Sequence, residues 1–95
     1  MHNITRKRLN VFAEKHPDTK AALQHWYKLA KTKEFKSFAE LRKTFGNADL
    51  VGKLTVFNIG GNKVRLAAAI HYNRRTIYIR AVLTHKEYDE GKWKE

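Results

Sequence analysis

Residues 56–89 read VFNIGGNKVRLAAAIHYNRRTIYIRAVLTHKEYD, and this stretch decides the fold. In 63–71, Val64, Leu66, Ala68 and Ile70 alternate with Lys63, Arg65, Ala67, Ala69 and His71. In 76–83, Ile77, Ile79, Ala81 and Leu83 alternate with Tyr78, Arg80 and Val82. A period of two marks a strand with one buried face. A short Asn73-Arg74 connection pairs Tyr72 with Arg75, hence Ala67 with Arg80 and Arg65 with Val82. That register sets both apolar rows on one face and Arg65, Tyr78 and Arg80 on the other, which predicts a hairpin.

Working outward, Gly60-Gly61 is a turn signal that joins a further strand at 54–58. A two-residue loop would put Phe57 with the core and Leu54, Val56 and Asn58 on the arginine face. A loop one residue different would invert this, and both registers stay open. On the other side, Thr84-His85-Lys86-Glu87 has the pattern of a capping box. A helical turn there puts His85, Tyr88 and Asp89 on one face at i, i+3 and i+4.

Before Gly46 the period is helical. A first helix is expected from about Thr5, as N-cap, to about Lys15, with Leu9, Phe12 and Ala13 as its apolar stripe. A second begins at Pro17, a residue suited to the first helical position, and buries Leu23, Trp26, Tyr27 and Ala30. A third opens at Ser37-Phe38-Ala39-Glu40, buries Phe38, Leu41 and Phe45, and stops at Gly46-Asn47. There is no repeat, linker or low-complexity tract, and residues 1–95 are expected to form a single domain.

The chain carries 20 Lys and Arg against 9 Asp and Glu, a formal charge of +11 with a pI near 10.1. The excess is spread over both halves, 11 against 5 in residues 1–50 and 9 against 4 in residues 51–95. The folded domain itself is therefore basic, which favours a polyanionic partner. There is no cysteine, which excludes disulfides and thiolate metal sites and fits a reducing, cytoplasmic setting. No apolar run approaches the roughly 20 residues that cross a bilayer, and no apolar segment follows the charged N-terminus as in a secretory signal. No membrane association is expected. A monomer is expected for the chain alone, because so many like charges repel.

RNA cleavage without a metal needs a base for the ribose 2′-OH, an acid for the departing 5′-oxygen, and cations for the phosphorane. Arg65 and Arg80 suit the last task, since guanidinium is always charged and grips phosphate oxygens in pairs. His85 suits either proton transfer, its ordinary pKa of about 6.5 lying near neutrality. Tyr88 could stack on a splayed base or assist the proton. His71 shares the strand face and reads as an ordinary surface histidine, while His16 and His25 lie on helices without partners. The five histidines lack metal-ligand spacing, so neither metal nor cofactor is expected. Lys28, Lys31, Lys33 and Lys36 form a helix edge that could track phosphates.

The pattern Val56-Phe57-Asn58-x-Gly60-Gly61-Asn62-x-x-Arg65, with Tyr78-Ile79-Arg80-x-Val82-x-Thr84-His85-Lys86-Glu87-Tyr88-Asp89, resembles the HigB family of bacterial type II toxins. The opening MHNITRKRL is similar to these toxins too, so the resemblance spans nearly the whole chain. It implies a RelE/ParE-like α+β fold: N-terminal helices on one face of a small, mainly antiparallel β-sheet, then a short C-terminal helical turn. It also implies a metal-independent mRNA endonuclease that works on the ribosome and arrests growth. A helix-turn-helix antitoxin of the HigA type would neutralise it, and operator DNA would be reached only through that antitoxin. Carried onto this sequence, Arg65 and Arg80 would hold phosphate, His85 would move a proton, and Tyr88 would contact a base or position the substrate. Asn58, Asn62, Lys63 and Lys86 would bind RNA. The charge alone would equally serve a non-catalytic inhibitor that docks on nucleic acid or the ribosome. A toxin of the same fold could also strike another target such as gyrase.

Overall fold

The computed structural model describes Met1 and residues 3–61 and 63–91. Asn62, expected in the site, lies outside the described residues. A short strand β1 (Asn3–Ile4) leads into helix α1 (Lys7–Lys15), then a 3-10 turn (Pro17–Thr19), α2 (Lys20–Thr32) and α3 (Phe38–Thr44). Strands β2 (Asp49–Val51), β3 (Leu54–Ile59), β4 (Val64–His71) and β5 (Thr76–Thr84) follow, and α4 (His85–Glu90) closes the described chain. The strands form one sheet in the order β1-β5-β4-β3-β2. All its pairings are antiparallel except β1 with β5. The first three helices cover one face, giving the α+β, RelE-type arrangement.

The helical stripes behave as their spacing predicts. Leu9, Phe12, Leu23, Trp26, Ala30 and Leu41 are buried against Phe57, Ile59, Val64, Leu66, Ala68, Ile77 and Ile79 of the sheet. Burying each large apolar side chain is worth about 1.5–3 kcal/mol. Trp26 meets Phe57 edge-on at 5.2 Å, and Phe45 does the same at 5.1 Å. Ser37 caps α3 by accepting from the Glu40 N–H at 3.2 Å. One expected cap is absent: α1 starts after Arg6 rather than Thr5, and Arg6 gives no side-chain cap.

The open register resolves in favour of Phe57 inward. Phe57 pairs with Leu66 and Asn58 with Arg65, so Val56 and Asn58 share the arginine face. The connection is four residues, 60–63, rather than two; two added residues leave the phase unchanged. Gly60 and Gly61 both hold left-handed backbone, at φ +64° and +60°, which explains two glycines there.

The β4–β5 hairpin departs from the expected register halfway along. From His71↔Thr76 to Ala68↔Ile79 the expected pairing holds. Beyond a bulge the ladder slips by one: Ala67 pairs with Ala81 instead of Arg80, and Arg65 with Leu83 instead of Val82. Arg80 is the residue without an opposite. The slip exchanges the faces of the residues after it. Val82, expected outward, packs on the core; Ala81 and Leu83, expected inward, stand on the arginine face.

Candidate functional site

Two devices bring the chemistry together at the C-terminal end of β5. The first is the bulge. Ile79 points into the core, so Arg80 points outward and is exposed. Ala81, opposite the outward Ala67, also faces out, and the strand regains its inward phase at Val82. One extra residue thus supplies a cation on the outer face while Val82 still closes the core.

The second is the start of α4. Thr84 is both the last ladder residue of β5, paired with Val64, and the N-cap of the helix. The Glu87 N–H donates to the Thr84 hydroxyl at 3.2 Å, and the Thr84 N–H donates to Glu87 Oε1 at 3.0 Å. The capping box read from the sequence is therefore complete, and α4 leaves the sheet with no linker. It packs against β5 and β4.

On α4, His85 and Asp89 meet one turn apart: His85 Nδ1 lies 2.9 Å from Asp89 Oδ2. A carboxylate accepts only, so Nδ1 carries the donated proton and Nε2 is the nitrogen presented outward. Both side chains are more than half exposed, at 53% and 61%, so the pair is open to a ligand. The spacing of 85 and 89 was legible as one face of a turn, but nothing in the sequence assigned Asp89 its bond to the ring.

Tyr88 is half-buried, and the Arg65 guanidinium stands over its ring at 5.5 Å from the centroid. The same guanidinium donates to Asn58 Oδ1 through Nη1. Arg65 therefore joins three elements, β3 through Asn58, its own β4, and α4 through Tyr88. A guanidinium held in this way, beside a ring and one helical turn from a histidine, has the chemistry to grip a phosphate next to a stacked base.

Of the expected residues, the structure joins Asn58, Arg65 and Tyr88 by direct contact and sets His85 one helical turn before Tyr88 on α4. Arg80 lies on the same face, displaced along β5 beside Ala67 and Ala68. Lys63 does not join: its ammonium lies 3.7 Å from Asp18 of the 3-10 turn, on the helical layer. Lys86 is exposed on α4, one residue round from His85. Of the four lysines expected along one helix edge, only Lys28 and Lys31 lie in α2; Lys33 and Lys36 fall in the connection to α3, all four are exposed, and Lys31 Nζ lies 3.2 Å from the Tyr27 hydroxyl. A cleft of about 650 Å³ between α1 and α2, lined by Leu9, Ala13, Leu23 and Tyr27, contains none of the clustered groups. Among the described residues, no three His, Asp or Glu side chains come together to hold a metal ion. No helix among them is long and apolar enough to cross a membrane.

Residues 19–91 match the family model HigB_toxin, described as a RelE-like toxic component of a toxin–antitoxin system. The chain is similar to the mRNA interferase toxin HigB of Escherichia coli K12, 39% identical over 92 residues that span 94% of this chain and 88% of that protein. The mRNA interferase HigB of Shigella flexneri is similar to the same extent. That of Escherichia coli O6:H1 is 30% identical over 93 residues, 95% of this chain and 90% of its own length.

Proposed function

The chain belongs to the HigB family of RelE-like toxins of toxin–antitoxin systems, and we propose that its clustered face is where it cuts mRNA. Arg65 and Arg80 hold the phosphate oxygens and meet the charge of the phosphorane. His85 Nε2 takes the proton of the 2′-OH while Asp89 holds the ring and steadies the imidazolium that forms. The 2′-oxygen bonds to phosphorus, the P–O5′ bond breaks, and Tyr88 is the hydroxyl at hand for the departing oxygen. The products are a 2′,3′-cyclic phosphate and a 5′-hydroxyl. Asn58 and Lys86 bind RNA at the edges of this site, and residues 1–95 act as one domain.

The observation that carries this reading is the His85–Asp89 pair one helical turn from the ring that Arg65 covers. A surface that only docked would have no use for a carboxylate-oriented imidazole. The reaction takes place on the ribosome, in the cytoplasm, restrained by a helix-turn-helix antitoxin of the HigA type through which operator DNA is reached.

Primer extension on a reporter mRNA in reconstituted translation tests it, with wild-type protein and His85→Ala, with and without ribosomes. Discrete cuts that need both ribosomes and His85 are expected. Arrest with intact mRNA would replace catalysis by docking.

A further inference from the structure

The arginine face continues beyond Arg80, and it ends in two aromatic rings. Tyr78 is 49% exposed although it lies within β5, between the buried Ile77 and Ile79. The His71 ring meets it edge-on, with centroids 5.4 Å apart and planes at 82°. Neither ring belongs to the core cluster. Tyr78 pairs with Ala69, whose small side chain leaves the tyrosine ring uncrowded from that strand. A single exposed ring is ordinary on a surface; this one stands edge-on to a second ring and shares its face with two arginines.

Its place along the face supplies the ligand. Ala69, opposite Tyr78, is four residues along β4 from Arg65, a separation of about 13 Å at the rise of a strand. Arg80 lies between the two ends, beside Ala67 and Ala68. The face therefore presents ring, cation, cation, ring in order: Tyr78 with His71, then Arg80, then Arg65 over Tyr88. Single-stranded nucleic acid is held by this combination, bases stacking on rings while cations follow the backbone.

We propose that Tyr78, steadied by His71, is a second base-stacking site on the single-stranded RNA whose phosphate Arg65 holds. It rests on the RNA-cleaving reading above and adds a substrate contact more than one nucleotide away from the scissile bond. Arg80, on the scissile phosphate with Arg65, lies on the path between the two rings, so specificity is shared between both ends of the face.

The test uses a single-stranded RNA carrying 2-aminopurine, whose fluorescence falls on stacking. All its riboses are 2′-O-methylated, so that no nucleophile is present. Wild-type protein, Tyr78→Phe, Tyr78→Ala and His71→Ala are titrated into it. Quenching is expected with wild-type and Tyr78→Phe. Tyr78→Ala should lose the quenching and bind roughly tenfold more weakly, with the salt dependence of binding unchanged. His71→Ala should keep affinity within a few-fold and quench less. No quenching by wild-type, or equal quenching by Tyr78→Ala, overturns the proposal. The readout needs no cleavage, so failure of the nuclease reading in primer extension is seen separately.

Discussion

The Arg65 guanidinium lies 5.5 Å from the centre of the Tyr88 ring while donating to Asn58 Oδ1. A cation held from two sides is oriented before substrate arrives. Lysine keeps the charge but has neither the planar fork nor the stacking surface. Arg65→Lys is therefore expected to cost roughly 100-fold in cleavage rate, close to the loss of a preorganised donor. Asn58→Ala should cost about tenfold with the fold intact, as Arg65 gains freedom. Single-turnover cleavage beside thermal unfolding measures both.

The capping box couples stability to activity. Thr84→Ala removes the hydroxyl that accepts from Glu87 and should destabilise the protein by about 1 kcal/mol. Because α4 carries His85 and Tyr88, cleavage should fall more than the lost stability accounts for. Thr84→Ser should restore both. Urea titration and cleavage on the same samples decide it.

In the proposed site Asp89 acts through His85. Asp89→Asn keeps the shape but no longer selects the Nδ1-protonated ring, and cleavage is expected to fall at least tenfold. Imidazole ¹⁵N shifts should show the proton moving toward Nε2 in the variant. An unchanged tautomer with reduced cleavage would assign Asp89 to substrate contact instead.

Deleting one residue should regularise the bulge. Without Ala81, Arg80 falls opposite Ala67, and every residue from Val82 onward keeps its present partner. The deletion variant should fold, with a loss within the 0.5–3 kcal/mol range of ordinary point changes. Cleavage should fall because Arg80 is re-aimed. Circular dichroism with primer extension distinguishes a re-aimed cation from a collapsed sheet.

Tyr72 sets an alkaline limit on stability. Its hydroxyl is shut from solvent and makes no hydrogen bond among the described residues, with the Thr55 side chain as its polar neighbour. Burial pushes its pKa above the ordinary 10.0, the Thr55 hydroxyl opposing slightly. The folded protein thus keeps a proton that the unfolded chain releases. Stability is whole below pH 10 and falls as pH rises through the raised value. Tyr72→Phe should lose this alkaline decline and gain about 1 kcal/mol at neutral pH, since an unpaired buried hydroxyl is removed. Urea midpoints from pH 7 to 11 report both effects.

The sequence made some of this legible and hid the rest for physical reasons. Thr84 and Glu87 could be paired on sight because a capping box is local, four residues wide and chemically specific. Ile77, Tyr78 and Ile79 gave their faces away by contrast of polarity. Ala81, Val82 and Leu83 could not, since three apolar residues in a row have no phase, and the bulge falls where the signal vanishes. Asn58 could not be joined to Arg65 without the length of the loop between them. Strands as short as Asn3–Ile4 and Asp49–Val51 leave no period to read.

Thr84 serves as the last rung of the ladder and the first cap of the helix. The groups proposed to react are consequently bolted to the sheet, with no linker between β5 and α4. A harmful enzyme built this way has no safety catch among these elements: folded, it is armed. With the proposed site built so, restraint would come from outside, from a partner that shields the face or from a substrate withheld until it is presented.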